Sequence, residues 1–246
     1  MDKPLFGPFS RKGSYSRVEV IDSVFADRRF TTLFQEAIHP TEIDDLTLYR
    51  RYLKKGERVL FYGALDAEAF NTLCGEGYDL YMVESETELC ANVDPRFRNR
   101  IYGFSMDVVD CFGEHAFESL VLPGTKISCY SRGELLLFLR RVGQLLTTEG
   151  TILCHIWNAS HVRRVAHNVG SRRIDGCTVF YGSQVSGDQL ILNLYLKDRN
   201  REKVGYAVQH LYEANALIDL ARLCSHAGRT LYTGDTVTVL EFQRIS

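Results

Sequence analysis

The stretch RVLFYGALDAEAFNTLCGEGYDLYMVES, Arg58 to Ser85, constrains the fold of this chain more than any other. It reads as an apolar strand, a turn, a helix with apolar residues at helical spacing, and a second apolar strand that ends on an acid. The same rhythm continues through NRIYGFSM and FESLVLPG into the helical segment SRGELLLFLRRVGQLLTTEG and the strand TILCHIWN. In the long helix, Ser131 and Glu134 are placed to form a capping box, and Gly150 is expected to stop it. Alternating strands and helices of this kind predict an α/β fold with a mostly parallel sheet, helices on both faces and right-handed crossovers.

The flanks of that core differ from it. Ahead of it, RVEVIDSVFADRRFTTLFQEAI and TEIDDLTLYRRYL carry apolar residues at helical spacing, so two or three helices are expected there, one opening on Thr41. After Trp157, three strand-like runs are separated by SGD and KDRNRE, which predicts an antiparallel meander. The helix EANALIDLARLCSHAG and a terminal hairpin from RTLYTG and DTVTVLEFQRI complete the chain. The expected organisation is a helical cap or lid over residues 1–56 and an α/β domain over 57–246, with 171–212 as an inserted meander that covers the substrate.

Composition narrows the function classes. With 246 residues, 45% hydrophobic and 24% charged, the chain is long enough for one large core. The formal net charge of −2 gives no overall field for nucleic acid or an anionic membrane, so neither is expected as a partner. Seven scattered cysteines show no metal-ligand spacing and read as reduced, mostly buried thiols; no metal is expected. No apolar run has the length of a signal peptide core or a membrane span, so the expectation is a soluble cytoplasmic protein.

The order strand, turn, helix, acid-ended strand, followed by the LLTTEG–TILCHIW step, resembles the Rossmann-like class I S-adenosylmethionine-dependent methyltransferases, from about Arg58 to Gln243. The inserted meander is similar to that of the small-molecule N- and O-methyltransferases. The resemblance implies S-adenosylmethionine as cofactor and a small-molecule substrate, methylated at an amine or hydroxyl and aromatic in one version, as in secondary metabolism. A homodimer is left open. In such proteins the first strand ends in a Gly-x-Gly-x-Gly loop. Here Gly63 matches its first glycine, while Leu65 and Ala67 stand at the next two. The cofactor contacts so implied are Gly63, Ala64, Leu65 and Asp66 in the loop, Glu84 for the ribose hydroxyls, and Ser105 and Met106 beside the adenine.

Physical chemistry gives each position two readings. Glycine supplies positive φ and close backbone approach, so Leu65 either turns away from the ligand or fills its space. Asp66 caps the following helix or accepts from the cofactor's ammonium group. Glu84, a carboxylate at the carboxyl end of a parallel strand, accepts two ribose hydroxyls or is a solvated strand end. His155, near the end of the fifth strand, is the candidate general base, with a hydrogen-bonded structural histidine as its plainer reading. Trp157 and Asn158 are expected to face the substrate. Tyr15 resembles an aromatic that closes a lid over the cofactor in some relatives, and otherwise is an ordinary packing tyrosine. His161, His167, Arg163 and Arg164 form a basic helical stretch able to meet an anion, or a solvated face.

In-line transfer of a sulfonium methyl needs alignment and water exclusion more than a catalytic triad. Methyl transfer is the activity that the resemblance implies. Two alternatives stand beside it because of Leu65 and Ala67: a cofactor-dependent rearrangement or cyclisation without methyl transfer, and a cofactor-free scaffold that binds a partner.

Overall fold

A computed structural model of the protein describes residues 3–22, 24, 27, 29–30, 33, 42–63, 67–84, 90–103, 111–174, 176–198 and 201–245. In chain order its strands are β1 Val18–Ile21, β2 Arg58–Tyr62, β3 Asp79–Val83, β4 Ile101–Tyr102, β5 Phe117–Leu122, β6 Leu146–Trp157, β7 Val169–Ile174, β8 Cys177–Ser186, β9 Gln189–Lys197, β10 Glu202–His210, β11 His226–Thr233 and β12 Val237–Arg244. The described α-helices are α1 Gly7–Gly13, α2 Asp45–Tyr52, α3 Ala67–Gly75, α4 Arg132–Leu145, α5 Ala159–Val165 and α6 Ala214–Arg222. Two compact units share the chain, one of Met1–His39 with Ala159–Leu211 and one of Pro40–Asn158 with Tyr212–Ser246.

The second unit is built on a sheet whose described strands run β11-β12-β6-β5-β2-β3-β4. β4, β3, β2, β5 and β6 are mutually parallel, and β12 is antiparallel to both β6 and β11. The period-2 alternation of the strands sends their side chains to two different apolar layers. Leu60, Leu120, Ile152 and Leu240 pack with Leu135, Phe138 and Leu139 of α4 and Leu217 of α6. Val59, Phe61, Leu80 and Val239 pack with Tyr49 of α2 and Phe70 and Leu73 of α3. Phe61 is fully buried, and burial of such a ring contributes about 1.5–3 kcal/mol. The predicted capping box forms: the Ser131 N–H donates to Glu134 Oε2 at 2.8 Å and the Glu134 N–H to Ser131 Oγ at 3.4 Å.

Three local expectations change. The helix predicted from Arg17 onward gives way at Val18–Ile21 to β1, a strand parallel to β10, because Val18 and Val20 are β-branched, alternate with Glu19 and fit a pleated edge. α4 ends at Leu145, ahead of Gly150, and β6 begins at once. β-Branched Thr147 and Thr148 disfavour continuing the helix, and the register slip from the Phe117–Leu146 pair to Ser119–Thr151 absorbs the TTEG residues as an irregularity inside the strand. α2 is capped by Asp44, whose carboxylate accepts from the Leu46 N–H at 3.2 Å; Thr41 lies outside the described residues.

The first unit carries the sheet β1-β10-β9-β8-β7, with the meander strands antiparallel to one another. The meander has one strand more than the three runs read from the sequence, since β7 is an edge strand whose residues other than Ile174 face outward or are half-covered. α1 lies against this sheet, with Phe9 buried among Val18, Tyr195 and Val204. Buried Asn193 accepts from the Phe6 N–H at 2.8 Å and donates to the Pro4 carbonyl at 2.9 Å. The N-terminal residues and the meander therefore form one body, whereas α2, expected within the 1–56 cap, belongs to the unit with the seven-stranded sheet.

Candidate functional site

From β2 the chain steps outward through β3 to β4, then returns to the other side of β2 for β5 and β6. The order thus reverses between β2 and β5, and in open α/β sheets ligands bind in the crevice beyond the carboxyl ends of the strands at such a reversal. Three strand ends meet there: Gly63 after β2, Glu84 after β3, and the Pro123–Lys126 turn after β5.

Gly63 has φ +112°, a conformation that side-chain-bearing residues rarely adopt, and its N–H donates to the Val83 carbonyl at 2.9 Å. A Cβ on Gly63 would stand 3.3–3.4 Å from the methylenes of Lys126, which cross it. Glu84 is buried although it follows directly on a strand end, and its N–H donates to the Tyr102 carbonyl at 2.9 Å. Its charge is felt nearby. Burial, with the Glu84 carboxylate adding to it, pushes the Cys90 thiol up to about 11. Burial likewise raises the Tyr130 phenol, with Tyr62, Cys129 and Glu84 contributing further.

An aromatic wall closes the β2–β5 side. The Tyr130 ring stacks on Phe138 at 5.0 Å, Tyr62 meets Phe138 edge-on at 4.9 Å, and the Tyr212 hydroxyl donates to the Tyr130 carbonyl at 2.6 Å. Burial holds the Tyr62 phenol up at about 12, and burial also raises Cys129 even though the neighbouring Lys126 charge pulls the other way. These phenols and thiols are neutral near pH 7. The strand ends thus bring together a buried carboxylate, a lysine and apolar surface, and none of the phenols and thiols just described is an activated nucleophile.

The remaining sequence candidates lie elsewhere or are already engaged. His155 is buried on the layer that includes Tyr49, its ring nearly parallel to the Tyr49 ring at 6.4 Å and its Nδ1 3.8 Å from Asp45 Oδ1. Trp157, on the same face of β6, is also buried. Asn158 clasps the turn of the terminal hairpin: its N–H donates to the Thr236 carbonyl at 2.8 Å and its Nδ2 to the Gly234 carbonyl at 3.2 Å. Glu42 grips the same turn, accepting from the Asp235 N–H at 2.8 Å, the Thr236 N–H at 2.7 Å and the Tyr232 hydroxyl at 3.0 Å. Tyr15 belongs to the first unit, where it is 46% exposed with Lys12 and Arg17 each 5.7 Å from its ring centre. Ala64, Leu65, Asp66, Ser105 and Met106 lie outside the described residues.

Lys126 was not found from the sequence. The available signal was its place just beyond the apolar strand FESLVL and the Pro-Gly turn, at the carboxyl end of a central strand. No group of three or more potential metal ligands occurs among the described residues, and no helix among them is long and apolar enough to cross a membrane.

No family model matches the sequence and no curated protein matches it. Solved structures do resemble the fold. A methyltransferase from Streptomyces caelestis superposes with a TM-score of 0.69 at 13% identity, covering 91% of this chain and 99% of that one. An S-adenosylmethionine-dependent methyltransferase from Clostridium acetobutylicum gives 0.68 at 10% identity, covering 88% and 98%. A sugar N-methyltransferase from Streptoalloteichus gives 0.62 at 15% identity, covering 81% and 84%. At these identities the likeness establishes the fold, the Rossmann-like architecture of class I methyltransferases.

Proposed function

We propose that this chain is an S-adenosylmethionine-dependent methyltransferase acting on an amine or hydroxyl of a small molecule. The observation that carries the reading is Glu84, a buried carboxylate at the carboxyl end of β3, next to the strand-order reversal of a methyltransferase fold. A carboxylate withdrawn from water at a strand end is stabilised by donors, and two vicinal ribose hydroxyls are donors of the right geometry. The likeness to a sugar N-methyltransferase supports a small-molecule substrate.

The residues fit that cofactor in chemical type. Glu84 would accept from the ribose and Gly63 would border the amino-acid part, and the family resemblance adds Ala64, Leu65, Asp66, Ser105 and Met106 as further contacts proposed from the sequence alone. The bound cofactor supplies an electrophilic methyl group on a sulfonium. The chain's own contribution is alignment and exclusion of water by the apolar wall of Tyr62, Tyr130 and Phe138. The Tyr62 and Tyr130 phenols and the Cys129 thiol are held neutral, and an amine in its free-base form needs no base before transfer.

A second reading has one observation in its favour. The Lys126 methylenes cover Gly63, where a cofactor-free scaffold would be filled from within. Calorimetric titration of the dialysed protein with S-adenosylmethionine and with S-adenosylhomocysteine separates the two. Micromolar binding of both is the expected outcome; an absence of heat together with an unchanged melting temperature would leave the scaffold reading in possession.

A further inference from the structure

The turn between β11 and β12 gives its polar groups to two residues outside it. The Gly234 N–H closes the turn on the Val237 carbonyl at 2.9 Å, and the Gly234 and Thr236 carbonyls are taken by Asn158 at 3.2 Å and 2.8 Å. The donors that are left converge on one carboxylate, that of Glu42, three residues ahead of α2. Glu42 Oε1 accepts from the Asp235 N–H at 2.8 Å and the Tyr232 hydroxyl at 3.0 Å, while Oε2 accepts from the Thr236 N–H at 2.7 Å and from the Thr236 hydroxyl. Consecutive backbone N–H groups that point at one anion make a nest. Gly234 leaves it room, because a Cβ there would collide with Glu42 Oε1 and with the Tyr232 hydroxyl.

We propose that this turn is a carboxylate-binding site and that Glu42 is its built-in ligand, a latch that fastens the chain ahead of α2 to the terminal hairpin. The assignment stands apart from the cofactor reading, and neither depends on the other. An ionised carboxylate has about four lone-pair sites, and each Glu42 oxygen here meets two donors. Asn158 holds the turn by its carbonyls, so the donors are set in place before any anion arrives, which lowers the cost of binding one. The same bonds, those from Thr236 foremost, keep the Glu42 carboxyl ionised down to about pH 2, so the nest takes the anion in preference to the acid. Tethering holds Glu42 at an effective concentration of at least about millimolar, and a dissolved carboxylate therefore enters only where Glu42 is absent or displaced. α2 follows directly and carries Tyr49, whose ring meets Phe61 of β2 edge-on at 5.3 Å. The latch and this ring contact together fix the helix on the sheet.

The test empties the nest and offers it a free anion. Glu42→Ala removes an exposed side chain and should lower the melting temperature by about 3–6 °C, the effect of losing charged hydrogen bonds in a chain of this size. Sodium acetate at about 0.1 M, balanced against sodium chloride of equal ionic strength, should restore at least half of that loss, and should shift the unaltered protein, whose site is filled, far less. Acetamide, which has the shape without the charge, should restore nothing. Trp157 is the chain's single tryptophan and pairs with Val237 at the edge of the turn, so its emission should follow acetate along one saturable curve in the variant. Adding Thr236→Val to Glu42→Ala takes away the hydroxyl donor and should weaken the acetate response. A Glu42→Ala protein that melts unchanged, a loss that acetate leaves untouched, equal acetate shifts in variant and unaltered protein, equal rescue by acetamide, or a response indifferent to Thr236→Val would each overturn the assignment.

Discussion

Two carboxyl-terminal edges of the same parallel sheet have been put to different use. At β2, β3 and β5 the strand ends present Gly63, Glu84 and Lys126. At β6 the end residues His155 and Trp157 are buried and Asn158 is hydrogen-bonded to the hairpin turn. The difference follows from the neighbour on the sheet. β2 and β5 flank a reversal of strand order, whereas β6 is followed in the sheet by antiparallel β12, whose turn takes up Asn158. An end of a parallel strand can thus lie open beside the reversal or be taken up by a neighbouring antiparallel turn.

Substitutions at the two edges should separate binding from stability. The largest effect is expected of Gly63→Val, which forces a β-branched residue to φ +112° and into the Lys126 methylenes. It should abolish measurable S-adenosylhomocysteine binding and destabilise the fold by about 1–3 kcal/mol or more in urea denaturation. Glu84→Ala should weaken cofactor binding by about 1.5–3 kcal/mol in calorimetry, and undiminished affinity would remove Glu84 from the site. His155→Gln should do the reverse, costing about 1–3 kcal/mol of stability through lost packing on Tyr49 while changing cofactor affinity less than about twofold. A selective fall in turnover with stability intact would instead restore His155 as a catalytic base.

The smallest effect is expected of Glu42→Gln, a modest loss of stability that is full above pH 4.5 and fades in acid. Hydrogen bonds from Thr236 first, and from Asp235 and Tyr232 as well, hold the Glu42 pKa down from 4.5 to about 2. A depressed carboxylate contributes stability that is whole above pH 4.5 and lost as the pH falls through about 2. The variant should therefore differ little in shape from the unaltered protein above pH 5 and should flatten the decline between pH 4.5 and 2 in a series of denaturation curves. An unaltered slope would show that the hairpin turn does not depend on that carboxylate.

How far the sequence could be read tracks the range of the interactions involved. β2, β3, β5, β6 and α4 were legible because short apolar runs and a capping box are local signals. β1 was taken for helix because its strand character depends on pairing with β10, almost two hundred residues away, and β7 was missed because an exposed edge strand has no apolar alternation to show. In the site, Glu84 could be picked out by the apolar strand it terminates. The tether of Asn158 to the hairpin turn and the covering of Gly63 by Lys126 both arise from residues brought together only by the sheet.

The interleaving of the two units has a consequence for biosynthesis. The first unit takes residues from both before and after the stretch that starts the second, and the second cannot be finished until Val237–Arg244 arrives to pair with β6. On a ribosome adding about 5–20 residues per second, β6 would wait several seconds with one edge bare, while β1 waits longer still for β10. An unpaired strand edge is a template for the wrong partner. The emerging chain is thus most vulnerable between the synthesis of Trp157 and that of Arg244, the window in which a chaperone would have the most to protect.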